Sequence, residues 1–411
     1  MDCFASLAMT ESFFLETIMT DSATQPLSGV KVIDFSQVML GPCATQMLAD
    51  YGADVIKIER PAGDLSRSSL ADDPDGPNNP VFRSLNRNKR SAVLDLSKPE
   101  GKQVIYDLVR EADVVVNNFR AGVMERLGFG YETLATINPR IISAFGSGFG
   151  KKGPLAHKGG QDILAQAVSG LIARKANADD PLTLYPTALC DYAAGMHLVQ
   201  AILLALLQRE KTGKGQEVAV SLFESALAMQ MQEAAMWTQR GQNFSWGAFP
   251  LTGVFETQDG ALVLVGAFKA NPLRDISAAL GIEDLSLDQR FATFAGQMAH
   301  KKELQAIFRE RFAKGTTAHW LERLEEQDLL CAPVLTLAEA LAHEQSRVNG
   351  SLISLNGGSM QVVGTPLAMA PSAFALRRPP PQLGAHGAEV LSEIGYSAER
   401  IAGLKEAGVL K

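Results

Sequence analysis

Between Val30 and Leu222 short β-branched runs alternate with stretches of helical spacing. The runs are Val30–Phe35, Asp54–Ile58, Ala92–Leu96, Val114–Val116, Arg140–Phe145 and Gln216–Leu222. Gly41-Pro42 breaks the chain after the first run and places a proline in the first turn of a helix over 43–51, which Gly52 caps. Ser97-Lys98-Pro99-Glu100 has the form of a capping box ahead of a helix reaching Ala112. Further helices are predicted over about 161–172 and 192–209, and residues 60–88, rich in Pro, Asp, Asn and Ser, read as a long surface loop. Strands alternating with helices predict an α/β, Rossmann-like large domain whose mostly parallel sheet is covered on both faces.

After about residue 225 the texture changes. A helix to about Gln239 leads into an aromatic, Gly-rich connector from Gly241 to Pro250. Asp259-Gly260 between two β-rich runs predicts a hairpin, followed by helices over 271–280, 300–313 and 317–328. A second hairpin is expected over 352–363 around Asn356-Gly357-Gly358. Arg377-Arg378-Pro379-Pro380-Pro381 reads as a linker, and residues 387–408 as two closing helices. The expected plan is a tail over 1–26, with Met19 as an alternative start, and a large domain over 27–224 completed by 380–411. A linker over 225–250, a small α+β domain over 251–350 and a return linker over 351–379 make up the rest.

Composition narrows the function. Of 411 residues, 46% are apolar and 20% charged, the usage of an ordinary folded chain. Lys and Arg total 38 against 45 Asp and Glu, so the net charge is 38 − 45 = −7. That balance argues against a general nucleic-acid binder, which needs a basic face. An anionic ligand must then be held by a few local cations and backbone amides. Cys3, Cys43, Cys190 and Cys331 are widely spaced, which indicates neither a disulfide framework nor zinc and fits a reducing cytoplasm. The most apolar stretch, Tyr192–Leu207, is interrupted by His197 and Gln200 and is shorter than the roughly 20 residues of a membrane span. The first 20 residues lack a basic start and carry Asp2, Glu11 and Glu16, unlike an export signal. No membrane partner is expected.

Several residues are candidates for chemistry. The turn Ser36–Pro42 lacks the three glycines of a dinucleotide fingerprint, and Gly148-Phe149-Gly150-Lys151-Lys152-Gly153 has them but runs into Pro154 where a helix should start. That string reads as a mobile glycine loop more readily than as a nicotinamide site. Glu59-Arg60 ends the second strand, where an acid can hold a ribose hydroxyl and an arginine a ribose phosphate; a solvated pair is the plain alternative. Asp191 and Asp162 each stand at a predicted helix start, where capping is the commonest role. A carboxylate at a partly buried helix N-terminus is also ionised and fixed in direction, as a nucleophile must be. His157 and His197 have no Cys or acid at ligand spacing, so no metal is assigned, and His197 on the apolar helix reads as a core residue.

The block Leu27–Arg67, centred on GPCATQMLADYGADVIKIERPAGD, resembles the N-terminal part of the class III CoA-transferases, a family that includes formyl-CoA and carnitine-CoA transferases and α-methylacyl-CoA racemases. The resemblance continues through Asn86–Ser91, Leu94-Asp95-Leu96, Asn118–Val123, Arg126-Leu127-Gly128, Asn138–Ile142 and Gly148-Phe149-Gly150. It extends to Asp191–Gly195, Lys211–Gln216 and Cys331–Val334, and is weakest between about 230 and 325.

The resemblance implies that Asp191 is the nucleophile, attacking an acyl-CoA thioester and passing through an aspartyl anhydride and an aspartyl-CoA thioester. It implies CoA contacts at Gln37, Val38, Leu40, Arg60, Leu94, Asn118, Phe119, Arg126 and Lys158, with Met39, Gln161 and Asp162 in the substrate pocket. Coenzyme A enters as substrate; no permanently bound cofactor is expected. Met39 replaces a glutamine that orients small polar acyl groups in the oxalate-specific relative, and that relative's long glycine loop is missing. Formyl-CoA and oxalate are therefore not the expected substrates. Gln161 replaces the histidine that racemases carry there, and a carboxamide cannot shuttle an α-proton. A transferase acting on an acyl-CoA and a carboxylic acid is expected, ahead of a racemase or isomerase and of a non-catalytic CoA binder. The family also implies a homodimer with interlocked subunits.

Overall fold

Six of the β-branched runs pair into one sheet: β1 (Lys31–Asp34), β2 (Asp54–Glu59), β3 (Lys89–Val93), β4 (Val114–Asn117), β5 (Ile142–Ser147) and β6 (Glu217–Ser221). Every neighbouring pair is parallel, in the order β3-β2-β1-β4-β5-β6. The computed structural model describes residues 25–70, 72–177, 179–355, 358, 360–370 and 372–411. The expected tail with its Met19, Cys3, and the Asn356-Gly357 centre of the second hairpin lie outside them, apart from Gln25 and Pro26. Val114, Val115 and Val116 have no exposed surface, as a strand covered on both faces requires. The strand order reverses between β1 and β4, which opens a crevice beyond their C-terminal ends.

Chain positions segregate into two compact units. The first holds residues up to Ser169, Tyr185–Met229 and Ser351–Lys411; the second holds Gly170–Leu184 and Gln230–Gly350. In the first, helices α1 (Leu40–Asp50), α2 (Pro99–Val109), α3 (Asp162–Val168) and α4 (Leu189–Thr212) accompany the sheet. The hairpin Leu352–Leu355 with Met360–Val363 also belongs to this unit, inside the stretch expected as a return linker. The last residues close on the edge strand: Asp95 N–H bonds to the Val409 carbonyl, and Leu94 bridges Leu410 in antiparallel register. Val390, Leu391, Ile401 and Leu404 join the same core as Ile33 and Val115.

Several local expectations change. Ser97 does not cap α2; Pro99 occupies its first turn, Lys98 becomes the cap residue, and Ser97 turns back to Asp95 Oδ1 through N–H (3.0 Å) and Oγ (2.6 Å). The helix expected over 192–209 runs from Leu189 to Thr212, long and apolar enough by composition to cross a membrane. Here it packs against α1, β5 and β6. The helix expected to Gln239 is two, Leu222–Ala228 and Met231–Arg240, so the expected linker at 225–250 is partly helical.

The second unit builds a three-stranded antiparallel sheet from Thr252–Glu256, Ala261–Val265 and Leu330–Pro333. The first two form the hairpin around Asp259-Gly260. The third went unread in the sequence because its Pro333 argues against a strand; it lies at the sheet edge, where proline is tolerated. Phe255, Phe308, Phe312 and Trp320 centre this unit's core.

Candidate functional site

The crevice at the strand-order reversal opens into a cavity of about 670 Å³. One wall is the loop after β1, Gln37 to Leu40; a second is Asn118-Phe119-Arg120 after β4; a third is the end of β5 with Gly148 and Phe149. Ala156, Lys158 to Gln161 and Leu164 face them, and Arg60, Leu65, Asp191 and Leu222 complete the lining. Gly148 and Gly160 meet backbone to backbone, since a Cβ on either would lie 2.2–2.3 Å from the other's Cα. Glycine at both places is therefore a packing requirement; of the string 148–153, Gly148 and Phe149 line the cavity, and no helix starts behind it.

Asp191 is not a cap. Ala188 takes the cap position of α4, and Asp191 stands in the first turn, half-buried, on the cavity surface. The Leu40 backbone N–H favours the ionised form of its carboxyl. Its own N–H donates to Asp162 Oδ2 at 2.9 Å. Asp162 itself is buried and does not line the cavity; its other oxygen accepts from Gln166 Nε2 at 2.6 Å, and Gln166 is in turn anchored on Tyr185. The expectation that Asp162 faces substrate is thus corrected: both its oxygens are occupied supporting the start of α4. Burial, then the neighbouring Asp162 charge, raises the Asp191 carboxyl to about 6, against the lowering by Leu40 N–H. The helix end does not dominate as the sequence suggested. Above that pH the carboxylate is ionised, desolvated and fixed in direction.

The remaining residues sort clearly. Gln37, Val38, Met39, Leu40, Arg60, Asn118, Phe119, Lys158 and Gln161 all line the cavity. Leu94 lines a second cavity of about 380 Å³, which shares Gln37, Arg60 and Phe119 with the first. Arg126 is exposed and lines neither. Glu59 lines the second cavity beside Arg60, but its oxygens are taken: they hold Arg67 at 2.7 and 2.8 Å and Ser91 Oγ at 2.6 Å. Arg120, whose guanidinium lies along Gly159, was missed; its place directly after Asn118-Phe119 is the signal that could have found it. Arg60, Arg120 and Lys158 are the cations of the main cavity and Asp191 its one acid among the described residues. An acidic protein has here gathered a local excess of positive charge, suited to an extended anion. Among the described residues no group of three His, Cys, Asp or Glu could hold a metal, and His197 is bonded to Ser225 Oγ at 2.9 Å.

The family profile described as CoA-transferase family III matches residues 27–387. An acyl-CoA transferase of Fusarium pseudograminearum is 38% identical over 95% of this chain and 89% of its own length. The succinyl-CoA:glutarate CoA-transferase of Mus musculus is 34% identical over 90% of this chain and 86% of its own. Among solved structures, a CAIB/BAIF family protein from Brucella suis superposes with a TM-score of 0.81 at 30% identity, covering 90% of this chain and 99% of that one.

Proposed function

The chain belongs to CoA-transferase family III and is a CoA-transferase, and on that premise we propose that it exchanges CoA between an acyl-CoA and a free carboxylic acid through covalent intermediates on Asp191. The observation that carries this reading is the Asp191 carboxylate: the acid of a cation-lined cavity, its backbone held by Asp162 and its carboxyl ionised above about pH 6. One Asp191 oxygen attacks the thioester carbonyl, the C–S bond breaks, and CoA leaves as thiolate from a mixed anhydride. The thiolate then attacks the Asp191 carbonyl and releases the donor's carboxylate, leaving an aspartyl-CoA thioester. The acceptor carboxylate repeats the two steps in reverse and frees Asp191. No proton is gained or lost, so an ionised nucleophile and exclusion of water are the main demands on the protein.

The CoA nucleotide is assigned to the second cavity, beside Leu94, with Arg60 where the two cavities meet and Arg120 and Lys158 further along the path to Asp191. Binding of that long handle positions the reacting carbonyl. Gln161 at the cavity wall disfavours racemisation, because a carboxamide has no proton to take and return. With succinyl-CoA or acetyl-CoA offered to a panel of acids in deuterated water, mass spectrometry should find CoA moved to an acceptor and no α-deuterium in a branched acyl-CoA. Deuteration as fast as transfer would reverse the assignment.

A homodimer with interlocked subunits completes the proposal. The chain leaves the first unit after Ser169 and again after Met229, re-enters it at Tyr185 and Ser351, and its end closes on β3. Leu204 and Leu207 on α4 are about two-thirds exposed, an apolar surface that a second copy would cover. Equilibrium sedimentation should give twice 44.1 kDa; a stable monomer at micromolar concentration would count against it. The free thiols of Cys43, Cys190 and Cys331 suit a reducing, cytoplasmic setting.

A further inference from the structure

The loop between β1 and α1 contains a β-branched residue in a conformation that such residues avoid: Val38 has φ 68°. Strain of this kind persists only where the surroundings impose it. Three groups beneath the loop do so, each capturing one amide. Ser36 N–H donates to Asp34 Oδ1 (2.9 Å), Gln37 N–H to Asn118 Oδ1 (2.8 Å) and Val38 N–H to Asp64 Oδ1 (3.2 Å). Asn118 also returns a bond to the Gln37 carbonyl at 2.7 Å. Asp64 is paired with Lys57 at 2.7 Å, and Lys57 Nζ donates to the Ser36 carbonyl at 2.8 Å. Lys57 has no exposed surface and Asp64 has 3%.

Buried ion pairs contribute little net stability, and apolar replacements often serve as well. What this pair does supply is geometry. It grips the loop at the Ser36 carbonyl and at the amide of the strained residue itself, two positions before Leu40. We propose that Lys57 and Asp64 are positioning residues for Asp191: they hold Val38 left-handed, and so fix the Gln37–Leu40 wall of the cavity that Asp191 also lines. The inference rests on Asp191 being the nucleophile. Neither residue touches substrate.

The groups facing Asp191 are Asp162 from α3, Cys43 from α1 and Cys190 on its own helix, with Arg60, Arg120 and Lys158 on the shared cavity wall. Leu40 N–H opposes the upward push on the Asp191 carboxyl, so its loss must move the acid limb of kcat to higher pH. Asp64 also binds Ser66 N–H and Oγ, both at 2.8 Å, so a purely structural role must be separable.

A cycle of Asp64→Ala and Val38→Gly separates them, because glycine takes a positive φ without help. In the native background Asp64→Ala should lower kcat about tenfold or more at neutral pH and shift the acid limb upward from about 6. In the Val38→Gly background the same change should cost less than about threefold and leave the limb in place. Equal losses in both backgrounds, or an unmoved limb, would overturn the proposal. If Asp64→Ala does not fold, Asp64→Asn is judged by the same comparison, since it removes the charge that pairs with Lys57. The two readings fail differently. An active Asp191→Asn enzyme refutes the nucleophile; an inactive one with equal losses in the cycle refutes only the positioning.

Discussion

Asp191→Asn should lose turnover by roughly 10⁴-fold or more, the scale on which removal of a covalent nucleophile is felt. The substitution is nearly isosteric. The Asp191 N–H bond to Asp162 is a backbone bond and is untouched. Unfolding temperature and CoA affinity should therefore stay close to native while CoA exchange stops. In the native enzyme, hydroxylamine added during turnover should trap the activated carbonyl as a hydroxamate on Asp191, found by peptide mass spectrometry. Omitting the acyl-CoA should abolish the label. Retained exchange in the variant, or a label on another acid, would transfer the nucleophile's role elsewhere.

The largest stability effect is expected at Arg67. Only 4% exposed, it makes a two-pronged bond to Glu59, reaches Asn78 Oδ1 (2.9 Å) and the carbonyls of Pro77 and Pro381 (3.2 Å each), and lies 3.5 Å over the Phe82 ring. It therefore ties the loop after β2 to the returning C-terminal segment. Arg67→Met fills most of the volume but strands Glu59, and breaking a buried pair costs about 3–5 kcal/mol. The sign of the pH dependence follows from Glu59. Burial raises its carboxyl, but Arg67, Lys57 and Ser91 outweigh that and hold it below the ordinary value. In the native protein this stability is present above the unfolded carboxyl value and is lost as pH falls through the lower folded one. In the variant, Glu59 can take up a proton instead, so the gap between the two proteins should be widest at neutral pH and narrow toward pH 4.5. Urea unfolding at both pH values measures it. A gap independent of pH would assign the loss to packing on Phe82 and not to the charge pair.

What the sequence by itself determined is the class of the fold and the address of the site. Alternating β-branched runs required a covered parallel sheet, and the wholly apolar Val114–Val116 lies inside it with no exposed surface. Asp191, Arg60, Asn118, Phe119 and Lys158, which the motif blocks single out, line one cavity. What only the tertiary structure decided is what each carboxylate does once there. Asp162 and Asp191 look alike in the chain, both acids near helix starts. Yet one is buried under the other, and their 29-residue separation says nothing of the 2.9 Å bond between them. Glu59 looked like a ligand contact beside Arg60, but Arg67 and Ser91 claim its oxygens. Val38 gave no sign of its left-handed backbone, because Asn118 and the Lys57–Asp64 pair, distant in the chain, impose it together with Asp34. Hydrophobic periodicity reports which face of an element is buried. The partner that meets a buried charge is chosen by how distant segments pack, and that choice sets its ionisation, its direction and its chemistry.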